Sequence, residues 1–248
     1  MRDENLELKQ EKQFVSMSIK IKKHIKKISI ITSLLVVTSL ILYVSFIEIS
    51  AHTGYPEAQC ELARWYDEGI WFHKTNKDSA KYWYLKSADQ NYILAQYNLG
   101  LFFEEQANYK ESINWYLKAA IQGYPSAQNN LAVKYYKGLG VARDINIANK
   151  WFLLAANNGS AKAQFSLGMN YAKGDGLSQN YTSAAYWIEQ SANQGYVPAQ
   201  GYLALLYLQG LGVSKNNKIA MDWAMKAYSI GDNNADENIK LIKQLDNK

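Results

Sequence analysis

From Gln59 onward, apolar and small residues return at fixed offsets from a glutamine: Ala one before it, Leu three after, Ala or Gly four after and an aromatic ring seven after. Offsets of −1, +3, +4 and +7 share one face of an α-helix, because residues three and four apart stack along its axis. The glutamine occurs as Gln59, Gln96, Gln128, Gln164 and Gln200, and its companions move with it, as in Ala127, Leu131, Ala132 and Tyr135 around Gln128. Five short helices, each with one apolar face, are therefore predicted.

A second pattern follows each of these helices. Trp83, Trp115, Trp151, Trp187 and Trp223 are spaced 32, 36, 36 and 36 residues apart, and seven residues before each stands Asn76, Asn108, Asp144, Asn180 or Asn216. Asn and Asp cap a helix start by accepting an orphan backbone N–H, an effect of about 1 kcal/mol, so a second helix begins there. Small residues flank the ring (Ala148, Ala155 and Ala156 around Trp151), and the helix ends at Gly123, Gly159, Gly195 or Gly231. The turn between the two helices carries Gly138-Leu139-Gly140, Gly174-Asp175-Gly176 or Gly210-Leu211-Gly212. No Lys-Ser/Thr follows these glycines and no strand precedes them, so they read as helix-ending turns and not as a phosphate loop. The second copy lacks four residues, with Glu104-Glu105-Gln106-Ala107-Asn108 in place of the turn.

One such hairpin cannot bury its own apolar face, so the copies must stack. The prediction is an all-α fold: an α-solenoid of five helix-turn-helix repeats over about 54–90, 91–122, 123–158, 159–194 and 195–230. A C-terminal capping helix is expected in 231–248, where Ala235 restarts the pattern but Lys240 and Lys243 replace its small and aromatic residues. Residues 53–248 form the repeat domain.

The N-terminal part has a different pattern. Ile28 to Ile47 is an uncharged run of 20 residues, about 30 Å as a helix, which matches a bilayer's hydrocarbon core. Lys20, Lys22, Lys23, Lys26 and Lys27 precede it and Glu48, Glu57 and Glu61 follow, so the positive-inside rule leaves residues 1–27 as a cytoplasmic basic tail and exports the rest. A buried helix of a soluble core would show a polar face, which this run lacks. A cleavable signal peptide is the rival reading, strengthened if Met17 and not Met1 is the start; against it, Phe46-Ile47-Glu48-Ile49-Ser50-Ala51 offers no small-residue cleavage site. An uncleaved, single-pass signal-anchor helix at 28–47 is expected, in the inner membrane with the repeat domain in the periplasm.

This placement changes the meaning of the net charge of +5 over 248 residues. Of the 27 Lys+Arg and 22 Asp+Glu, residues 1–50 hold 8 and 5, leaving 19 and 17 beyond them. The exported part is near neutral, and a nucleic-acid partner is not expected. A single Cys, Cys60, excludes a disulfide scaffold or a cysteine-rich zinc module.

The unit Ala-Gln-x-x-Leu-Ala/Gly-x-x-Tyr-x-x-Gly-x-Gly-Val-x-x-Asp-x-x-x-Ala-x-x-Trp-Phe-x-x-Ala-Ala-x-x-Gly, best preserved from Ala127 to Gly159, closely resembles the Sel-one-like repeat, a relative of the tetratricopeptide repeat. The resemblance implies an adaptor that binds other proteins. Its exported bacterial members serve in envelope assembly, in signalling and, in some cases, as immunity proteins against secreted antibacterial effectors. Cysteine-rich members linked to β-lactam binding carry a disulfide per repeat, which this chain lacks.

Catalytic constellations are missing from the sequence. Only His24, His52 and His73 occur, with no His-Glu-x-x-His, Ser-x-x-Lys or Gly-x-Ser-x-Gly. His73, near Asp67 and Glu68, reads as a solvated loop residue and not as a metal ligand, and Cys60 as a packed or groove-facing thiol. No catalytic, cofactor or metal site is expected, and the chain is not expected to be an enzyme.

Function is therefore sought on the first helices, at offsets +1, +5, +8 and +9 from the glutamine, which in tetratricopeptide-like solenoids correspond to the concave side. The candidate groove comprises Arg64, Asp67, Glu68, Tyr97, Leu101, Glu104, Glu105, Tyr136, Phe165 and Met169. It has an acidic, membrane-proximal end and an aromatic, Met-bearing middle, suited to an extended peptide or a partner helix. The competing reading is that solenoid curvature buries part of this stripe. Charge reversal at Glu104 and Glu105, with Ala at Tyr97 and Phe165, is expected to abolish partner capture without unfolding. The expected molecule is a monomeric, non-catalytic scaffold that binds an envelope protein, with immunity, envelope assembly or signalling regulation left open and envelope hydrolysis as an enzymatic rival.

Overall fold

The computed structural model describes residues 2–230, 239, 240, 242 and 243, and every regular element among them is helical. A long helix α1 (Arg2–His52) precedes five hairpins. These are α2 (Pro56–Glu68) with α3 (Lys77–Ala88), α4 (Ile93–Glu105) with α5 (Tyr109–Ile121), α6 (Pro125–Lys137) with α7 (Ile145–Asn157), α8 (Ala161–Lys173) with α9 (Tyr181–Asn193), and α10 (Val197–Gln209) with α11 (Asn217–Ser229). Each second helix packs on its own first helix and on the next repeat's first helix, so the hydrophobic core runs as one stack of linked clusters. The fold is the α-solenoid predicted.

Local chemistry accounts for each boundary. In the five second helices the N-cap side chain accepts the backbone N–H three residues on, from Asn76 with Ser79 to Asn216 with Ile219. Gly69, Gly138, Gly174 and Gly210 end their helices in the left-handed conformation. The second glycine of the turn has a further role that periodicity alone does not reveal. Gly212, at φ 72°, lies so close to the start of α9 that an added Cβ would sit 2.0 Å from the Tyr181 carbonyl oxygen. Gly140 and Gly176 meet Tyr109 and Ile145 in the same way, so the turn is an inter-repeat contact as well as a helix stop.

The recurring glutamines form a ladder. Gln59, Gln96, Gln128, Gln164 and Gln200 donate through Nε2 to the carbonyls of Ala51, Ala88, Ala120, Ala156 and Ala192, at 3.0–3.5 Å. The side-chain oxygens of the first four accept from Gln90, Gln122, Asn158 and Gln194 of the following second helix or its cap, at 2.7–2.9 Å. Each of these four buried amides thereby ties three helical segments together, which explains a polar residue in a fixed core position.

The bond from Gln59 to Ala51 shows that the end of α1 stands in for a missing second helix. Phe46, Ser50, Ala51 and Gly54 occupy the same register as Trp115, Ala119, Ala120 and Gly123. Ala51 is fully buried, Val44 and Ile47 join the cluster around Leu62 and Trp65, and the His52 ring lies 4.9 Å from that of Trp83. The stack thus reaches back into α1 without an intervening linker. At the far end Ile239 and Ile242 are buried against α10 and α11 while Lys240 and Lys243 are exposed, the distribution expected of a cap. The rest of the expected cap (231–238, 241 and 244–248), Ala235 included, lies outside the described residues.

Candidate protein-binding groove

The stripe predicted from the first helices divides into two regions. Around α6 and α8, Tyr136, Phe165 and Met169 line one cavity of about 310 Å³ together with Val133 and Asn170, with the exposed Lys137 and Lys173 also among its lining residues. Tyr136 is held in place by its hydroxyl, which donates to Asp175 at 2.6 Å and is thereby pushed above the usual tyrosine pKa. Phe165 stacks on Tyr196 at 5.5 Å, and Tyr196 belongs to a second cavity of about 450 Å³ that Tyr97 also lines.

That second cavity is of mixed character and carries polar residues outside the predicted set. Asn129, Asn130, Ser160 and Lys162 surround it, and Asn129 is 7% exposed with its Oδ1 accepting no hydrogen bond among the described residues. A buried, unpaired carbonyl is unfavourable unless something donates to it; this oxygen has almost no surface of its own, so the backbone N–H of a bound chain would reach it only after the Asn129 amide turns toward the cavity. Asn129 stands at the same +1 offset as Tyr97 and Phe165, so its place was readable; its unsatisfied oxygen was not. Tyr97 is half-buried, its ring edge-to-face with that of Tyr124 at 4.9 Å, and burial raises its hydroxyl pKa. Leu101 packs into the cluster of Tyr116 and Leu131, which makes it core more than groove.

The acidic end is an internal ion-pair network. Arg64 bonds Glu61 at 2.5 Å and Glu68 at 3.2 Å, and Lys77 bonds Asp67 at 2.5 Å and Glu105 at 3.4 Å. Glu104 is the most committed. Its Oε1 binds Lys134, whose side chain is 1% exposed, and its Oε2 accepts the Tyr116 hydroxyl at 2.7 Å. Charge reversal there would strand a buried ammonium, so Glu104 cannot serve in a folding-neutral binding test. Glu105, with 65% of its side chain exposed, can.

One further expectation is corrected and another is narrowed. His73 is not solvated: only 12% of its side chain is exposed, its ring packs on Tyr66 at 4.6 Å and its Nε2 lies 3.2 Å from Glu48. Cys60 is buried, and burial pushes its thiol up to about 12, so it is a packed thiol and not a nucleophile. Among the described residues no group of three His, Cys, Asp or Glu side chains is placed to hold a metal ion.

Comparison with known proteins matches this architecture. The Sel1 repeat model matches residues 56–92, 93–124, 125–160, 161–196 and 197–232. A protective antigen of uropathogenic Escherichia coli displaying an SLR fold superposes with a TM-score of 0.75 at 35% identity, over 79% of this chain and 42% of that one. A Sel1 repeat protein from Oxalobacter formigenes gives 0.68 at 31% identity, over 74% of this chain and 76% of that one. An immunity protein from Pseudomonas aeruginosa shares the fold, with a TM-score of 0.51 at 21% identity, over 79% and 75% of the two chains. A sel1-like repeat-containing protein of Acanthamoeba polyphaga mimivirus is 47% identical over 58 residues, 23% of this chain and 10% of that protein. This chain thus spans less than half of the antigen and a tenth of the viral relative.

Proposed function

The chain belongs to the Sel1 repeat family, whose members are protein-interaction scaffolds, and on that footing we propose that it captures another protein along α4, α6 and α8 without catalysis. The observation that carries this reading is the pair of adjoining cavities. One has an apolar floor and two lysines, and the other offers an unpaired, buried Asn129 oxygen. That combination suits an extended segment that inserts an apolar side chain beside Met169, donates a backbone N–H to Asn129 once its amide turns into the cavity, and carries a carboxylate toward Lys137 or Lys173.

The finer reading places this domain on the exported side of the inner membrane, held by an N-in, single-pass α1. Lys22–His52 is long and apolar enough to cross a bilayer, with a mean hydropathy of 2.4 in its apolar window. In that location the partner is an envelope protein. Neutralisation of a secreted antibacterial effector is the version favoured by the fold shared with an immunity protein, and envelope assembly or signalling is the alternative. Affinity capture from envelope fractions tests the groove directly. Ser166→Trp fills the smaller cavity and Lys137→Glu with Lys173→Glu inverts its charge; both should abolish capture with the melting temperature unchanged, and capture that survives both rejects the groove. Capture of an effector that loses toxicity on binding would support the immunity version, and hydrolysis of an envelope substrate by the purified chain would overturn the non-catalytic reading.

A further inference from the structure

We propose that the first repeat is seated in the bilayer interface, with the loop Ile70–His73, Phe72 foremost, inserted among the lipids beside α1. This rests on the reading of α1 as a membrane anchor. The apolar run ends at Ile47, yet protein covers one side of it before that point: Val44 is 8% exposed, and Val44 and Ile47 pack on Leu62, Trp65 and Trp71. The part of the run before Tyr43, whose ring meets Trp65 and Trp71, is Ile28 to Leu42: 15 residues, about 22 Å of helix against about 30 Å of hydrocarbon. The remaining depth must be crossed by a stretch of α1 that carries repeat 1 on one side. Its other side stays apolar and open, with Phe46 at 66% and Ile49 at 64% exposure.

Repeat 1 therefore meets lipid, and the residues at the contact suit it. The Trp71 ring lies 5.9 Å from that of Tyr43, which is inside the apolar run. Phe72 follows with 88% exposure, the largest among the exposed apolar side chains of the described residues, and both residues hold left-handed backbone angles (φ 54° and 71°) that non-glycine residues seldom adopt. The loop is pinned in this posture by His73, whose Nδ1 is 3.0 Å from the Trp71 carbonyl oxygen and whose Nε2 is 3.2 Å from Glu48 on α1. A cavity of about 600 Å³ lined by Tyr43, Phe46, Ile47 and Tyr55, with Glu57 and Glu61 on its α2 side, opens against the same stretch of α1. Tyr43 and Trp71 in contact, backed by the buried Trp65 and with exposed Lys74 just beyond, match the aromatic and basic belt of a membrane interface.

The test uses the full chain in vesicles of equal phosphatidylethanolamine and phosphatidylglycerol. Phe72→Cys, and Lys150→Cys on exposed α7 as control, are labelled with an environment-sensitive nitrobenzoxadiazole probe, and the buried Cys60 of the unmodified chain serves as the blank. The expected result is blue-shifted emission at position 72, quenched several-fold more strongly than at 150 by lipid-borne nitroxide. A chain that stays with the vesicles in alkaline carbonate but shows water-like emission at 72 overturns the inference and leaves the anchor standing. Blue-shifted emission that lipid nitroxide does not quench also overturns it, since protein would then be the cover. A chain released by alkali refutes the anchor itself and the inference with it.

Discussion

Replacing Glu104 with Gln keeps the shape of the side chain and removes its charge, which isolates the pair that joins the second and third repeats. In the native protein the two carboxylate oxygens divide their work: one binds the Lys134 ammonium and the other accepts the Tyr116 hydroxyl. Lys134 has 1% of its side chain exposed, and besides Glu104 its charge sees the Tyr109 ring at 4.7 Å. Removing one partner of a fully buried pair costs about 3–5 kcal/mol, because the other charge is left without compensation. Here three effects reduce that figure. Glu104 keeps 36% exposure, so water can approach; the amide oxygen still accepts one bond; and the Tyr109 face retains about 0.5–1 kcal/mol of attraction. The expected loss is about 2–3 kcal/mol, a shift of roughly 30- to 150-fold in the opening equilibrium. Urea unfolding of the full chain in detergent, followed by circular dichroism, measures the total. Amide exchange should show faster opening at the α4–α6 interface, since repeat arrays can open locally. Lys134→Met removes the stranded charge while keeping the apolar stem, so the double variant should recover at least half of the loss. A Glu104→Gln chain within about 0.5 kcal/mol of the native one, or a double variant equal to the sum of the singles, would refute the claim that the pair is buried and coupled.

Four further outcomes are expected. Gly100→Ala should lower stability by about 1–3 kcal/mol in the same urea titration, because the new Cβ would lie 2.3 Å from the Tyr116 ring, whereas Gly123→Ala meets no atom within 4 Å and is limited to backbone strain at φ 88°. Ile230→Gln should raise the melting temperature, worth about 1 kcal/mol, since Ile230 stands where Asn158 and Gln194 serve the earlier glutamines and the Gln200 Oε1 has no donor among the described residues. At pH 8 the Cys60 thiolate, with its pKa pushed up to about 12, is on the order of one molecule in ten thousand, so alkylation should need denaturant; rapid native labelling would contradict its burial. A phosphatase fused after Lys248 should be active if the repeat domain is exported, and an inactive fusion would overturn the orientation.

The repeat was legible because a helical hairpin copied five times reports its buried face, its caps and its turns at every copy, and agreement across copies removes the ambiguity of any single one. Even the half-repeat at the end of α1 was written in the chain, as Phe46, Ser50, Ala51 and Gly54, but without the tryptophan and the capping Asn it did not stand out from the apolar run. The groove was harder to read. Offsets from the glutamine place Glu104 and Glu105 on the same stripe, yet one is tied to a buried lysine 30 residues away and the other is largely exposed. Spacing says which way a side chain leaves its helix, and the partner that meets it there comes from another repeat.

What the sequence determined alone, then, is everything that depends on neighbours along one helix or on the repeat period: five hairpins, their caps, the stack and the long apolar N-terminal helix. What only the tertiary structure decided is how side chains from different repeats divide the surface. Lys134 takes Glu104 out of the candidate groove, Asn129 buries an oxygen to which no described residue donates, and α1 runs without a break into the first layer of the solenoid. The physical reason is that ion pairing, hydrogen-bond satisfaction and burial are set by distances between segments about 30 residues apart, which a pattern along the chain does not encode.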